Sequence, residues 1–166
     1  MSRQPTPFAK LCRRAGRIRA EFVRYLDHPV EEVWEALTDP AQLARWLAPG
    51  VIDPRPGGGA RLDFGDSGIV IDSAVTHFEP PRRLGYSWSS LGEPLRPIEW
   101  ELSPTDEGCL LKFGVEVPEV EDVGRACAGW EAHLEMLAAF LEGVPIRFPL
   151  DLFKAARDSY RVRLER

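Results

Sequence analysis

One histidine stands out among the side chains that could do chemistry. His133 lies three residues after Trp130 and four before Leu137, at the border of an apolar stripe with helical spacing. An imidazole in that position would orient a ligand or act as a general base near neutral pH. Its more common role is that of a rim residue or of a core histidine bonded to a neighbour. The sequence places no second titratable group to form a dyad with it.

Carboxylates within predicted strands are the other candidates for acid and base work, and they are Asp72, Glu99, Glu101 and Glu116. The three glutamates alternate with apolar residues, which predicts that they face water. Asp72 shares a strand face with Val70 and Ala74. Asp72 and Val70 are therefore assigned to the predicted ligand cavity.

Aromatic side chains form the largest candidate set: Trp46, Phe64, Tyr86, Trp88, Trp100, Phe113 and Trp130. Small molecules are usually held in apolar cavities lined by such rings together with a few polar groups. Ordinary core packing is the alternative for any one of them. Trp88 and Trp100 have the strongest claim, because alternation puts each on the apolar face of its strand. The predicted cavity is completed by Val70, Asp72, His133, Leu134 and Leu137.

The sequence indicates no catalytic nucleophile, no metal site and no cofactor. Its three histidines and three cysteines are dispersed without the spacing of a metal site. Cys12, Cys109 and Cys127 cannot all pair, which favours reduced thiols in a cytoplasmic protein. The glycines at residues 57–59 lack the Gly-Lys-Ser/Thr ending of a phosphate loop and precede a strand, so they predict a turn.

Charge and hydropathy exclude two classes of partner. The 166 residues include 21 basic and 26 acidic side chains, and the net charge of -5 argues against binding to nucleic acid. No apolar run approaches the roughly 20 residues of a membrane-spanning helix. Residues 1–16 are basic and contain Pro5 and Pro7, which predicts a flexible tail, and no secretory signal is indicated.

The element that must position these residues is an amphipathic helix predicted over residues 122–142. Its apolar stripe includes Trp130, Leu134 and Leu137, whereas Glu131 and Glu135 lie off the stripe. A strand, two short helices and a meander of about five strands precede it, from about residue 18 to residue 117. This segregated order predicts an α+β fold with a curved antiparallel sheet, the long helix across it and a pocket between them.

A shorter helix is predicted after the long one. Gly143 is a suitable cap for the first helix, residues 144–149 read as a linker, and residues 150–164 carry a second apolar stripe. Its members are Phe153, Ala156, Tyr160 and Leu164. The stripe would cover the domain's own sheet or form the interface of a homodimer.

Four segments carry a resemblance to a known family. They are HPVEEVWEALTDPAQLARWLAPG (28–50), FEPPRRLGYSW (78–88), WELSPTDEGCLLKF (100–113) and GWEAHLEMLAAFLEG (129–143). With the strand before them, the chain resembles the activator of heat-shock-protein-90 ATPase homologue branch of the START/SRPBCC superfamily over residues 17–143. The resemblance implies the helix-grip fold, with a curved antiparallel sheet of about six or seven strands around a long C-terminal helix and a cavity between them.

The resemblance implies a ligand-binding domain over residues 17–143, with the tail before it and a linker and helical extension over residues 144–166. The expected function is binding of a small hydrophobic or aromatic molecule, such as a lipid or polyketide, in the internal cavity. One alternative is an enzyme of the cyclase, dehydratase or hydrolase kind with His133 or Asp72 as base. Another is a chaperone-associated interaction protein, although the resemblance over residues 17–143 does not include the chaperone-binding N-terminal domain of the eukaryotic members, so co-chaperone activity is not expected to carry over.

Overall fold

The computed structural model describes residues 8–165, and the fold contains a large and a small antiparallel sheet with four helices. In chain order the elements are β1 (Lys10–Arg14), β2 (Arg17–Leu26), α1 (Val30–Thr38), α2 (Pro40–Trp46), β3 (Gly50–Ile52), β4 (Gly59–Asp63), a 3-10 turn (Gly65–Ser67), β5 (Val70–Ala74), β6 (His77–Glu79), β7 (Arg83–Ser87), β8 (Pro97–Thr105), β9 (Gly108–Pro118), α3 (Val123–Leu141) and α4 (Leu150–Leu164).

The large sheet has six antiparallel strands in the order β1-β2-β9-β8-β7-β6. Its apolar residues alternate along β2, β8 and β9, and the register brings them side by side, as where Phe22 and Trp100 both lie opposite Phe113. All three rings are buried. The inner face of this sheet is therefore a continuous apolar surface, and the α+β architecture and strand number predicted for the helix-grip fold are confirmed.

The small sheet has the order β3-β4-β5 and is joined to the large one by hydrogen bonds. Ser73 Oγ donates to Ser87 O at 2.7 Å, and Thr76 N donates to Gly85 O at 2.8 Å. The largely apolar run over residues 69–79 thus forms two strands, β5 and β6. The chain leaves the small sheet after Ala74 and enters the large one at His77, which explains why both faces of that run are partly apolar.

The two short helices follow β2, as the sequence indicates, and close one end of the inner face. Asp39 caps α2 by accepting from Gln42 N at 3.3 Å, and Pro40 occupies the first helical position. Trp46 ends α2 fully buried, where its Nε1 donates to Ala36 O at 2.7 Å. This bond fixes the two helices against each other and points the Trp46 ring at the core.

The long helix α3 lies against the inner face of the large sheet and is covered on its other side by α4. Asp122 caps it by accepting from Arg125 N at 3.1 Å, and Gly143 follows it with a φ of 76°. A Cβ on Gly124 would come within 2.8 Å of Arg161 Cγ. The missing side chain at Gly124 therefore lets α3 and α4 approach closely.

The helix predicted over residues 150–164 is present with those bounds, and its stripe is covered within the chain. Ala156 and Tyr160 are fully buried against α3 and the start of the chain, whereas Leu150 and Val162 are exposed. The covering element is a helix and not the sheet that the sequence suggested. A homodimer through the C-terminal extension stays a prediction, and it would use the exposed side of α4.

The N-terminal segment differs from the predicted tail over residues 1–16. Lys10–Arg14 forms β1, an edge strand that pairs with β2 through a tight turn at Ala15 and Gly16, whose φ angles are 51° and 76°. Residues 1–7 and 166 lie outside the described part. Residues 50–52 form β3 within a stretch that is rich in proline and glycine. No helix among residues 8–165 combines the length and apolar character needed to cross a bilayer.

Candidate functional site

Four aromatic rings meet between the large sheet and α3, and we call them the aromatic cluster: Trp88, Trp100, Phe113 and Trp130. The Trp130 ring lies 4.3 Å from Phe113, 4.6 Å from Trp88 and 5.8 Å from Trp100 between centroids. Trp100 lies 4.2 Å from Phe113. The contacts are tilted or edge-to-face, the arrangements that aromatic quadrupoles favour. The rings predicted to line a cavity therefore pack directly on one another.

Two further predicted rings extend the cluster at its inner end. Trp46 meets Trp100 edge-on at 6.0 Å, and Tyr86 lies 6.4 Å from Trp88. Tyr86 is fully buried, and burial raises the pKa of its hydroxyl well above the usual value. Leu134 and Leu137 are buried on the neighbouring face of α3. This inner end is closed to solvent and has the character of a packed core.

The opposite end of the cluster reaches the surface through Phe64, Trp88, His133 and Phe148, which we call the open end. Phe64 follows β4, where its ring lies 5.8 Å from Trp88 and 6.0 Å from His133. Phe148 belongs to the segment between α3 and α4, lies 5.7 Å from His133 and is 41% exposed. Phe64, Trp88 and His133 are half-buried. The open end is thus an aromatic surface that is only partly covered.

Trp88 is fixed at the open end by its backbone. Its N–H donates to Arg96 O at 2.8 Å, and Arg96 Nη1 donates to Trp88 O at 3.1 Å. Arg96 Nε in turn donates to Glu121 Oε1 at 2.6 Å, one residue before the cap of α3. The turn that carries Trp88 is therefore tied to the start of the long helix, which holds the ring against Trp130.

His133 carries the most unusual polar atom of the site. Its Nδ1 is sealed from solvent and has no hydrogen-bond partner among residues 8–165. An unsatisfied buried polar group costs about 1–3 kcal/mol, and such groups are rare in folded proteins. Burial among the rings lowers the pKa of His133 to about 4, because the charged imidazolium is poorly solvated there. The imidazole is consequently neutral at pH 7.

Asp72 does not lie at the open end, although the sequence places it in the predicted cavity. It lies in β5 opposite Arg61, and its carboxylate pairs with Arg61 Nη1 at 3.2 Å on the solvent side of the small sheet. The buried neighbours Leu62 and Ile71 point the other way. Val70 is half-buried beside Asp63 on the outward side. The face that Val70 and Asp72 share is therefore the outer face of the small sheet. Neither Asp72 nor any other carboxylate among residues 8–165 forms a hydrogen bond with His133 Nδ1.

The three strand glutamates lie on the outside of the large sheet, as alternation indicates. Glu99 accepts from Arg83 Nε at 3.1 Å, Glu116 pairs with Arg17 Nε at 3.4 Å, and Glu101 is exposed. Among residues 8–165 no group of three or more metal-ligating side chains is found. Cys12 is exposed, Cys109 and Cys127 are buried, and all three are unpaired.

Glu131 is buried, although the helical pattern of α3 predicts that it faces solvent. It is only 3% exposed. Arg24 Nη2 donates to its Oε1 and Tyr160 OH donates to its Oε2 at 3.3 Å, while Ala9 N donates to Tyr160 OH at 2.6 Å. We call these four residues the buried network. Desolvation raises the pKa of Glu131 despite the opposing effect of Arg24.

Solved structures similar to this chain share its fold. CalU16 from Micromonospora echinospora is 27% identical, and the match covers 98% of this chain and 100% of that chain with a TM-score of 0.77. The protein BPP1335 from Bordetella parapertussis is 29% identical over 94% of this chain and 90% of that chain, with a TM-score of 0.69.

DynU16, described as a putative protein in the dynemicin biosynthetic locus, is 34% identical over 80% of this chain. That match covers 49% of the DynU16 chain with a TM-score of 0.68, so this chain spans about half the length of DynU16. No protein with a curated description matches the chain.

A family model described as "Activator of Hsp90 ATPase homolog 1-like protein" matches residues 27–142. The match includes α1, α2, the strands from β3 to β9 and the whole of α3. It therefore contains the aromatic cluster and His133, whereas β1, β2 and α4 lie beyond it. The chain belongs to the activator of Hsp90 ATPase homolog 1-like family of helix-grip proteins.

Proposed function

We propose that the protein binds a small hydrophobic or aromatic molecule, such as a lipid or a polyketide, where the aromatic cluster between the large sheet and α3 reaches the surface. The observation that supports this function is the open end of the aromatic cluster. Four rings surround a half-buried surface there, and a ligand with a flat apolar face would stack on them. Covering about 200 Å² of apolar surface would contribute roughly 5 kcal/mol to binding.

Entry at the open end requires little rearrangement of the fold. Phe148 stands in the segment between α3 and α4, where Val144 and Ile146 are also exposed. The Phe148 ring is already 41% exposed and packs on His133, so swinging it aside would uncover His133 without unpacking the core. The ligand's own apolar surface would replace the contacts that Phe148 gives up.

The family relationship supports the same function. DynU16 is described as a putative protein in the dynemicin biosynthetic locus, which associates that relative with biosynthesis. The catalytic alternative requires an acid or base partner for His133, and its Nδ1 has no hydrogen-bond partner among residues 8–165. The three unpaired thiols suit a cytoplasmic setting.

The proposed function is tested by tryptophan fluorescence and thermal unfolding with a library of lipids and aromatic polyketides. A ligand present at 100 times its Kd should stabilise the fold by about 2.7 kcal/mol, which corresponds to about 5–10 °C in Tm. The ligand should mainly quench the fluorescence of Trp88, the tryptophan at the open end. Trp88→Phe should therefore lose most of the quenching.

Trp34→Phe is the matched control, because Trp34 is also half-buried but contacts Phe78 at 5.5 Å, away from the cluster. Its quenching should equal that of the unmodified protein. Absence of quenching and of any thermal shift with every hydrophobic compound would overturn the proposed function. Equal loss of quenching in both variants would place the ligand somewhere other than the open end.

A further inference from the structure

The unpaired nitrogen of His133 specifies more about the ligand than its apolar character. Nδ1 is sealed from solvent, and the nearest rings are Trp130 at 5.7 Å, Phe148 at 5.7 Å and Phe64 at 6.0 Å. None of these rings presents a hydrogen-bond partner to it. A phenylalanine would suit such surroundings better, so a histidine there is explained by a partner that arrives with the ligand.

The chemistry of neutral imidazole decides which partner this is. One ring nitrogen carries the proton and the other is an acceptor. Nε2 is not among the sealed unpaired atoms, and the imidazole is half-buried, so Nε2–H can donate to water. Nδ1 is then the acceptor that points into the aromatic surroundings. A ligand group that meets it must donate a hydrogen bond.

We propose that the ligand is a hydroxylated aromatic molecule whose phenolic O–H donates to His133 Nδ1 while its ring stacks at the open end. This inference rests on the proposed function and adds the chemical class of the ligand. A hydroxyl is favoured over an ammonium group, because a buried cation needs a counter-charge and no described carboxylate lies in reach of Nδ1. An aromatic ether or a hydrocarbon would leave Nδ1 unpaired.

A matched pair of probes tests the inference by titration calorimetry. 1-Naphthol carries the donor, whereas 1-methoxynaphthalene has the same rings without it. The unmodified protein should bind 1-naphthol about five- to tenfold more tightly, which is the range of one neutral hydrogen bond. In His133→Phe this preference should fall below about twofold, with little change in affinity for 1-methoxynaphthalene.

His77→Phe is the matched control, since His77 is exposed in the edge strand β6 and should leave the preference unchanged. Long-range proton–nitrogen NMR of the unmodified protein gives a readout that does not depend on a variant. The Nδ1 resonance of His133 should have the position of an acceptor nitrogen and should shift with 1-naphthol but not with 1-methoxynaphthalene.

The outcomes separate the two proposals. Equal affinity for both probes, or a preference that survives in His133→Phe, would overturn the hydroxyl donor and leave apolar binding intact. A protonated Nδ1 in the free protein would also contradict it. If neither probe binds the unmodified protein, the proposed function fails and the inference fails with it.

Discussion

Glu131 and His133 are two residues apart on α3 and are both polar side chains in apolar surroundings, but their partners differ. Both oxygens of Glu131 accept hydrogen bonds, one from Arg24 and one from Tyr160. The buried nitrogen of His133 has no partner among residues 8–165. One helix therefore carries a satisfied polar group on one side and an unsatisfied one on another.

The difference separates a structural site from the proposed binding site. The buried network joins four distant parts of the chain, since Arg24 lies in β2, Tyr160 in α4 and Ala9 before β1. A satisfied network of this kind fixes those elements in place. Nδ1 of His133 makes no hydrogen bond among residues 8–165 that could fix an element in place. Under the proposed function, the energetic cost of this unpaired nitrogen is recovered when a ligand supplies the missing hydrogen bond.

The largest effect is expected from breaking the buried network at its centre. Glu131→Ala leaves Arg24 partly buried without its counter-charge and should lower the free energy of unfolding by about 3–5 kcal/mol. Chemical denaturation measures the change. Glu135→Ala, an exposed position on the same helix, should change it by no more than about 0.5 kcal/mol. Equal effects at the two positions would show that Glu131 is not structural.

A smaller loss is expected from removing one hydroxyl of the same network. Tyr160→Phe keeps the ring stacked on Phe8 at 5.3 Å but leaves Ala9 N and Glu131 without a partner. The free energy of unfolding should fall by about 2 kcal/mol, and amide exchange at Ala9 should become faster. Unchanged exchange at Ala9 would contradict the role assigned to this hydroxyl.

The pH dependence of the free energy of unfolding should reveal His133, because folding lowers the pKa of its imidazole. The folded state holds the pKa of His133 near 4, below the ordinary value of 6.5, so the unfolded state binds the proton more readily between those values. The His133 contribution to stability is therefore present above pH 6.5 and is lost as the pH falls toward 4.

Comparison with His133→Phe isolates this contribution from the other titrating groups. The free energy of unfolding of the unmodified protein should fall by about 2 kcal/mol relative to that variant between pH 7 and pH 4.5. Denaturation curves at the two pH values provide the measurement. A difference that stays constant with pH would mean that the histidine is well solvated in the fold.

The smallest effect, and the one with the opposite sign, concerns stability at neutral pH. His133→Phe removes a buried polar atom without a partner and should raise the free energy of unfolding by about 1 kcal/mol. The same change should weaken ligand binding. A destabilised variant would place His133 with Glu131 among the structural residues, and the contrast between the two would disappear.

The fold could be predicted from the sequence because local periodicity determines it. The stripe on α3 and the alternation in β8 and β9 each arise from neighbouring residues, and α4 has the bounds that the sequence predicts. β1 was missed because its hairpin depends on a short turn at Ala15 and Gly16 within a basic, proline-containing stretch.

The candidate site could be predicted only in part. Helical spacing identifies Trp130 and His133, whereas the burial of Glu131 depends on Arg24, which is 107 residues away in sequence. Phe148 lies outside any periodic element, and only its aromatic character in a proline-bounded linker could have signalled it. Asp72 was placed with the site because alternation defines two faces of a strand without indicating which one is buried.

The most direct test of the contrast between the two regions is a proton–nitrogen NMR titration of the unmodified protein with 1-naphthol. We predict that the resonances of Phe64, Trp88, His133 and Phe148 shift with a single saturable affinity, while those of Arg24, Glu131 and Tyr160 stay in place. Shifts centred on the buried network, or none at the open end, would contradict the assignment of structure to Glu131 and ligand binding to His133.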